Sequence, residues 1–257
     1  MTNTILVLDT ATEACSVALF RIPMEVPPSK EPTSAKESLK PVSQVFAVAP
    51  RKQAELVLAQ VDAVLAEAQL KLEALDYLGF VRGPGAFTGV RVAASVIQGF
   101  AVAANKPVIG LSSLQIMAQM AHQNYGCKAV SAAIDARMDE VYWQNFRLNE
   151  QGIMQAVDQA CVLPPEQVQH TLSDEEIMGV GTGWQRYEEV FAPHYAQRQA
   201  PEPLISYPDV GYAGLLCAEA ISAKNCLNAE ECTPFYLRDK VVKDPRSNKN
   251  RTNGRNL

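Results

Sequence analysis

Two stretches of this chain contain residue types that could together hold a phosphate group. The first is GPGAFTGVR, Gly83 to Arg91, which follows an apolar run typical of a buried strand and precedes a long helical pattern. Glycines allow backbone angles that a side chain would forbid, and free amides at a helix start can bind an anion. We therefore predict a candidate nucleotide loop with Thr88 as helix N-cap, formed by Gly83, Gly85, Thr88, Gly89 and Arg91.

The second stretch is Asp9-Thr10, which ends the apolar run Ile5 to Leu8. An aspartate at the end of a strand can hold a magnesium-bound water or a phosphate. It can equally bond to its own backbone in a turn. The glycine stretch can likewise be a tight connection without a ligand, because its spacing is neither the dinucleotide nor the P-loop pattern. The residues alone leave both alternatives open.

Composition narrows the functional classes. The chain has 257 residues, 47% of them hydrophobic, which is enough for a sizeable core in one or two domains. Its net charge of -5 argues against binding nucleic acid over a broad surface. The six cysteines form no CxxC pair and the three histidines are far apart in sequence, so we predict no metal site. The first residues lack a basic n-region, which favours a cytoplasmic protein without a membrane segment.

The order of apolar runs predicts an α/β chain of two lobes. A hairpin, a third strand, and a helix, strand, helix, strand series match one ribonuclease-H-like lobe. The pattern then begins again with a strand, Ala129 to Ile134, that also ends in an aspartate, Asp135. The predicted domains are an N-terminal lobe, 1–108, with a proline-rich loop inserted at 22–41 and a late helix near 209–224 completing it; a C-terminal lobe, 109–208; and a basic flexible tail, 239–257.

Two predicted helices each carry apolar stripes on opposite sides. They run from Arg51 to Leu72 and from Thr88 to Ala104, and a surface helix needs only one apolar stripe. Either the two helices pack on each other, or their outer stripes contact another chain. The candidate partner interface, chosen by small residue size, comprises Leu56, Ala59, Ala63, Ala66, Leu70, Val90, Ile97 and Ala101.

Five motifs in consistent order carry a resemblance to a known family. They are ILVLDTATEACSVAL, VRGPGAFTGVR, AAIDARMDEVYW, GVGTGW and PFYLR. Together they resemble the bacterial TsaB (YeaZ) family, paralogues of the TsaD enzymes, over 4–21 and 47–239. The resemblance implies the actin/Hsp70/hexokinase-like (ASKHA) fold of two ribonuclease-H-like lobes.

The resemblance also implies a function. Family members are noncatalytic partners of TsaD in placing threonylcarbamoyl on the adenosine beside the anticodon (t6A) of tRNAs that decode ANN codons. They pair with TsaD, or with a second copy when TsaD is absent, while TsaE joins the pair and tRNA is bound mainly through the complex. The resemblance implies no catalytic residue, no metal and no required cofactor, and it leaves weak ATP or ADP binding open. Many relatives have a histidine near Gln53, and this chain does not.

Two other functional classes are weighed against the scaffold. An ATPase or phosphotransferase would use Asp9, Thr10 and the glycine loop, but no catalytic base is evident beside them. A peptidase is less favoured, because the sequence contains no GxSxG, HExxH or histidine-paired cysteine signature.

Overall fold

The computed structural model describes residues 2–24, 39–169, 171–172, 176–194, 198–199 and 204–238. The predicted basic tail, 239–257, lies outside these residues, as does most of the predicted proline-rich loop. At the ends of that loop the prediction is wrong, because the second strand continues through Pro23 and both Ile22 and Leu39 are buried in the core. The first lobe therefore uses the flanks of the loop as structural residues.

The first lobe is built on a five-stranded sheet with the order β3-β2-β1-β4-β5. Strands β1, β2 and β3 form an antiparallel meander, whereas β4 and β5 run parallel to β1. Residues of β1 alternate between two hydrophobic clusters, because successive side chains point to opposite faces of a strand. The strands are β1 (Thr2–Asp9), β2 (Ala14–Pro23), β3 (Ser43–Val48), β4 (Tyr77–Gly83) and β5 (Val108–Ser112).

Helices cover both faces of this sheet. Helices α1 (Gln53–Glu67) and α2 (Phe87–Ala104) pack on the face formed by Leu6 and Leu8. On the opposite face the side chains of Ile5 and Val7 join the cluster of the late helix α6 (Gly214–Ser222). The late helix therefore packs on the first lobe although it follows the second lobe in sequence.

The second lobe repeats the strand order of the first. Its sheet reads β8-β7-β6-β10-β11, again an antiparallel meander followed by two parallel strands, and β9 pairs with β7. The strands are β6 (Ala129–Arg137), β7 (Glu140–Leu148), β8 (Met154–Ala156), β9 (Cys161–Leu163), β10 (Ile177–Val180) and β11 (Arg198–Gln199). Two lobes of the same topology thus confirm the predicted repetition.

Helix α3 (Ser113–Tyr125) packs on the second sheet, where Leu114 and Met117 contact its core. Its start is stabilised by Ser112, whose hydroxyl accepts a hydrogen bond from the Gln115 amide. The predicted lobe boundary at 108/109 is wrong, because β5 belongs to the first sheet and the second lobe begins with α3. Two short helices, α4 (Thr182–Arg186) and α5 (Glu188–Phe191), follow β10.

By length and composition, one helix of the described residues, α2, could cross a membrane. In the fold its Ala93, Ile97 and Ala101 side chains are buried against the first sheet. Core helices of soluble proteins have the same composition, so length and hydropathy do not single out a membrane segment here.

Candidate functional site: the cleft between the lobes and the exposed helix face

A cavity of about 420 Å³ separates the two lobes. The β1–β2 turn and the start of α2 line one wall, and the β6–β7 turn lines the other. A third wall comes from the C-terminal segment Phe235 to Arg238. The strands β1 and β6 occupy equivalent positions in the two sheets, so the cavity lies at the junction of the two repeats.

The glycine turn and the β1–β2 turn are in direct contact. The Thr10 hydroxyl donates to the Gly89 carbonyl at 2.7 Å, and the Ala86 amide donates to the Ala11 carbonyl at 2.7 Å. A Cβ at Gly85 would lie 2.2 Å from the Ala11 oxygen, and one at Gly89 would lie 2.1 Å from the Thr10 oxygen. The glycines therefore allow the two backbones to touch.

The start of α2 differs from the sequence prediction. The helix begins at Phe87 with Ala86 as its N-cap, and no side chain caps it. The assignment of Thr88 as the N-cap is therefore wrong, and its side chain is exposed. Gly83 has a φ of 119°, which glycine alone adopts readily, so this residue turns the chain out of β4.

Asp9 is fully buried at the end of β1 and does not line the cavity. Its Oδ1 accepts a hydrogen bond from the Ala11 amide at 2.7 Å, the turn geometry considered as the alternative to a ligand site. Its Oδ2 is buried without a hydrogen-bond partner among the residues described. Burial raises the Asp9 pKa from its ordinary 3.8 to about 7, and the charge of Asp209 adds to the increase.

The raised pKa predicts a pH-dependent stability. Between pH 4 and 7 the folded state binds a proton at Asp9 that the unfolded state has released, so stability falls as the pH rises through this range. Asp9→Asn, which has no charge to bury, should be more stable than wild type at pH 8 by about 2 kcal/mol, and the difference should be smaller at pH 5. Thermal melting at both pH values measures this difference.

The exposed carboxylate Asp62 gives the matched control. Asp62→Asn makes the same substitution at a side chain that folding does not bury. A pH-independent effect of Asp9→Asn would contradict the assignment of a buried, protonatable carboxyl group.

Charged side chains connect the two lobes beside the cavity. Arg137 lies 3.2 Å from Glu13 of the β1–β2 turn and 3.3 Å from Asp135, which also pairs with Arg186 at 3.0 Å. The Tyr207 hydroxyl donates to Glu13 at 2.7 Å. Asp135, which the sequence marks as the counterpart of Asp9, therefore pairs with arginines at the surface and does not share the buried environment of Asp9.

The C-terminal segment Thr233 to Arg238 crosses from one lobe to the other. The Phe235 amide donates to the Arg82 carbonyl at 2.9 Å in the first lobe. In the second lobe Arg238 donates to the Ala136 carbonyl at 3.1 Å and pairs with Glu140. In the sequence, PFYLR identifies the family but does not predict this contact between the lobes. Its two aromatic residues near an arginine are the only local feature that indicates a contact site.

The residues of the predicted partner interface differ in exposure between the two helices. On α1 the side chains of Ala59, Ala63 and Ala66 are exposed. On α2 the placement of Val90, Ile97 and Ala101 on the outer side is wrong, because they are 2%, 0% and 3% exposed in the lobe's own core. The outward side of α2 has instead the half-buried Val92, Val96 and Phe100. Leu56 and Leu70 are half-buried beside the α1 stripe.

Gln53 begins α1. Its side-chain amide donates to the Thr12 carbonyl at 2.6 Å, which ties the helix start to the β1–β2 turn. Among the described residues no group of three or more His, Cys, Asp or Glu side chains could hold a metal ion.

Two lobes with the strand order of ribonuclease H, facing each other across a cavity, define the ASKHA class of proteins. The family model of TsaD, tRNA N6-adenosine threonylcarbamoyltransferase, matches residues 45–240. The chain belongs to the TsaB (YeaZ) family, whose members are related to TsaD.

Individual relatives support this assignment over almost the whole chain. The tRNA threonylcarbamoyladenosine biosynthesis protein TsaB of Escherichia coli K12 is 34% identical over 93% of this chain and 96% of its own. The TsaB of Haemophilus influenzae is 35% identical over 93% of this chain and 95% of its own. The solved structure of YeaZ from Pseudomonas aeruginosa is 38% identical, with a TM-score of 0.78 over 91% of this chain and all of that one.

Proposed function

We propose that this chain is a noncatalytic partner of TsaD in forming threonylcarbamoyladenosine beside the anticodon of tRNA. The observation that carries the proposal is the exposed stripe of Ala59, Ala63 and Ala66 on α1 of a TsaB-family chain. Small side chains let two helices approach closely, and leucines at both ends of the stripe add apolar surface. The stripe together with the outer side of α2 forms the TsaD-binding surface.

Three features support a role without catalysis. The two turns that could hold a phosphate are closed on each other. The carboxylate that could act there, Asp9, is buried away from the cavity. Gln53 uses its amide to brace a turn. These features support the proposal that the chain needs no cofactor and binds ATP or ADP weakly at most. If the isolated chain hydrolyses ATP and Asp9→Ala abolishes that activity, this part of the proposal is wrong.

The same surface accounts for the proposed partners. It pairs with TsaD, or with a second copy of the chain when TsaD is absent, and TsaE joins the pair. The tRNA is bound mainly by the assembled complex in the cytoplasm.

Light scattering behind a sizing column tests the partner proposal. The chain is run alone and then mixed with TsaD from the same cell. We expect a homodimer alone and a complex containing both chains in the mixture. A chain that stays monomeric and does not bind TsaD overturns the proposal.

A second measurement tests the function itself. The tRNA modification is reconstituted with TsaD, TsaE, an unmodified tRNA and TsaC, the enzyme that the family resemblance implies makes the threonylcarbamoyl-adenylate donor. The reaction is run with and without this chain. We expect threonylcarbamoyladenosine only when the chain is present. Equal product in its absence would refute a required role.

A further inference from the structure

Exposed aromatic side chains are concentrated at the mouth of the cavity. Phe87 is 46% exposed, Phe235 48% and Tyr236 46%. They come from the start of α2 and from the C-terminal segment, far apart in sequence, and the rings of Phe87 and Tyr236 lie 6.2 Å apart. Leaving such rings exposed costs free energy, so a cluster of them indicates a contact surface.

Two arginines complete this surface. The Arg91 guanidinium lies 3.4 Å from the centre of the Phe87 ring and 5.6 Å from that of Tyr236. Its Nε donates to the Tyr236 hydroxyl at 2.8 Å, and Arg82 donates to the Thr233 carbonyl at 3.0 Å. Neither arginine pairs with a carboxylate in the part of the chain that the structure describes. We call Phe87, Arg91, Phe235 and Tyr236, with Arg82 beside them, the aromatic ledge.

We propose that the aromatic ledge binds unpaired nucleotides of the tRNA substrate. Exposed rings stack on nucleobases, a guanidinium held beside a ring extends the stacking surface, and an unpaired arginine attracts the phosphate. The choice of tRNA rests on the proposed function; the choice of a single-stranded segment rests on the rings, because paired bases hide their faces. The ledge adds an RNA contact to a chain that the proposal above treats as a protein-binding partner.

The local charge at the aromatic ledge favours an anionic partner such as RNA over a neutral or basic one. The chain carries a net charge of -5, which opposes nonspecific binding of a polyanion. At the ledge the unpaired charges are positive, so an RNA segment would be attracted to this one place. A protein partner at the same place is the competing outcome, and the experiment separates the two.

The experiment measures binding of a fluorescein-labelled tRNA with an ANN anticodon to the complex of this chain with TsaD. The variants Phe87→Leu and Tyr236→Leu keep apolar bulk and remove the aromatic face. We expect each to weaken tRNA binding by about 10-fold. Tyr236→Phe, which keeps the ring, should stay within about 2-fold of wild type. Phe46→Leu, at an exposed phenylalanine of β3, is the matched control.

Light scattering on the same variants distinguishes the outcomes. Weakened tRNA binding with an intact TsaD complex supports the ledge as an RNA site. Unchanged tRNA affinity in both leucine variants overturns it, and so does loss of the TsaD complex, which would make the ledge a protein contact. If tRNA affinity is unchanged, the proposed function still stands, because the wild-type chain would still be required for modification in the reconstituted reaction.

Discussion

Replacing Ala63 by glutamate should separate this chain from TsaD without unfolding it. Ala63 lies in the middle of the exposed stripe on α1, between Ala59 and Ala66, where close helix packing leaves no room for a carboxylate or its water. An unpaired charge buried in such an interface costs several kcal/mol, so we expect the complex to weaken by about 100-fold or more. Isothermal calorimetry with TsaD and light scattering of the chain alone measure the loss.

The control for this prediction is an alanine-to-glutamate substitution elsewhere on α1. Ala54 is exposed in the first turn of α1, on the side away from the stripe, where an added glutamate is compatible with the helix dipole. Ala54→Glu should therefore leave the complex intact. If Ala63→Glu binds TsaD as tightly as Ala54→Glu does, the stripe is not the interface.

Gly89→Ala should cause a large loss of stability. The added carbon would lie 2.1 Å from the Thr10 carbonyl oxygen, a backbone atom of the β1–β2 turn that moves only if the turn moves. The same shift would break the hydrogen bond from Thr10 to the Gly89 carbonyl. Overlap and the lost bond together should cost about 3 kcal/mol, or roughly 6–10 °C in melting temperature.

Gly99 of the same helix provides the comparison. A Cβ there would have no atom within 4 Å, and its neighbours leave it exposed. Gly99→Ala should stabilise the protein by up to about 1 kcal/mol, because alanine is the better helix residue. Thermal melting of the two variants should move in opposite directions. If Gly89→Ala stabilises the protein as Gly99→Ala does, contact between the turns does not explain the glycine at 89.

Much of the fold follows from local patterns in the chain. The apolar runs of β1, β4 and β6 are continuous because both faces of a central strand are buried, and such runs are visible without coordinates. The repeated strand that ends in an aspartate, at Asp9 and again at Asp135, revealed the two-lobe repetition. The glycine spacing identified a special turn, because only residues without a side chain permit the contact that Gly85 and Gly89 make.

The tertiary structure determines which face of each helix is buried, which local patterns do not specify. Both stripes of α2 are apolar, so periodicity cannot tell which one faces the sheet. Residue size assigned Ile97 to the outward stripe, whereas its side chain is buried against the sheet. The hydrogen bond from the Ala86 amide to the Ala11 carbonyl joins two turns that are far apart in sequence. The aromatic ledge joins Phe87 to Tyr236, residues with no local relation in the sequence. Local sequence thus determines each element and its special turns, whereas which surfaces remain exposed depends on long-range packing between elements that local patterns do not encode.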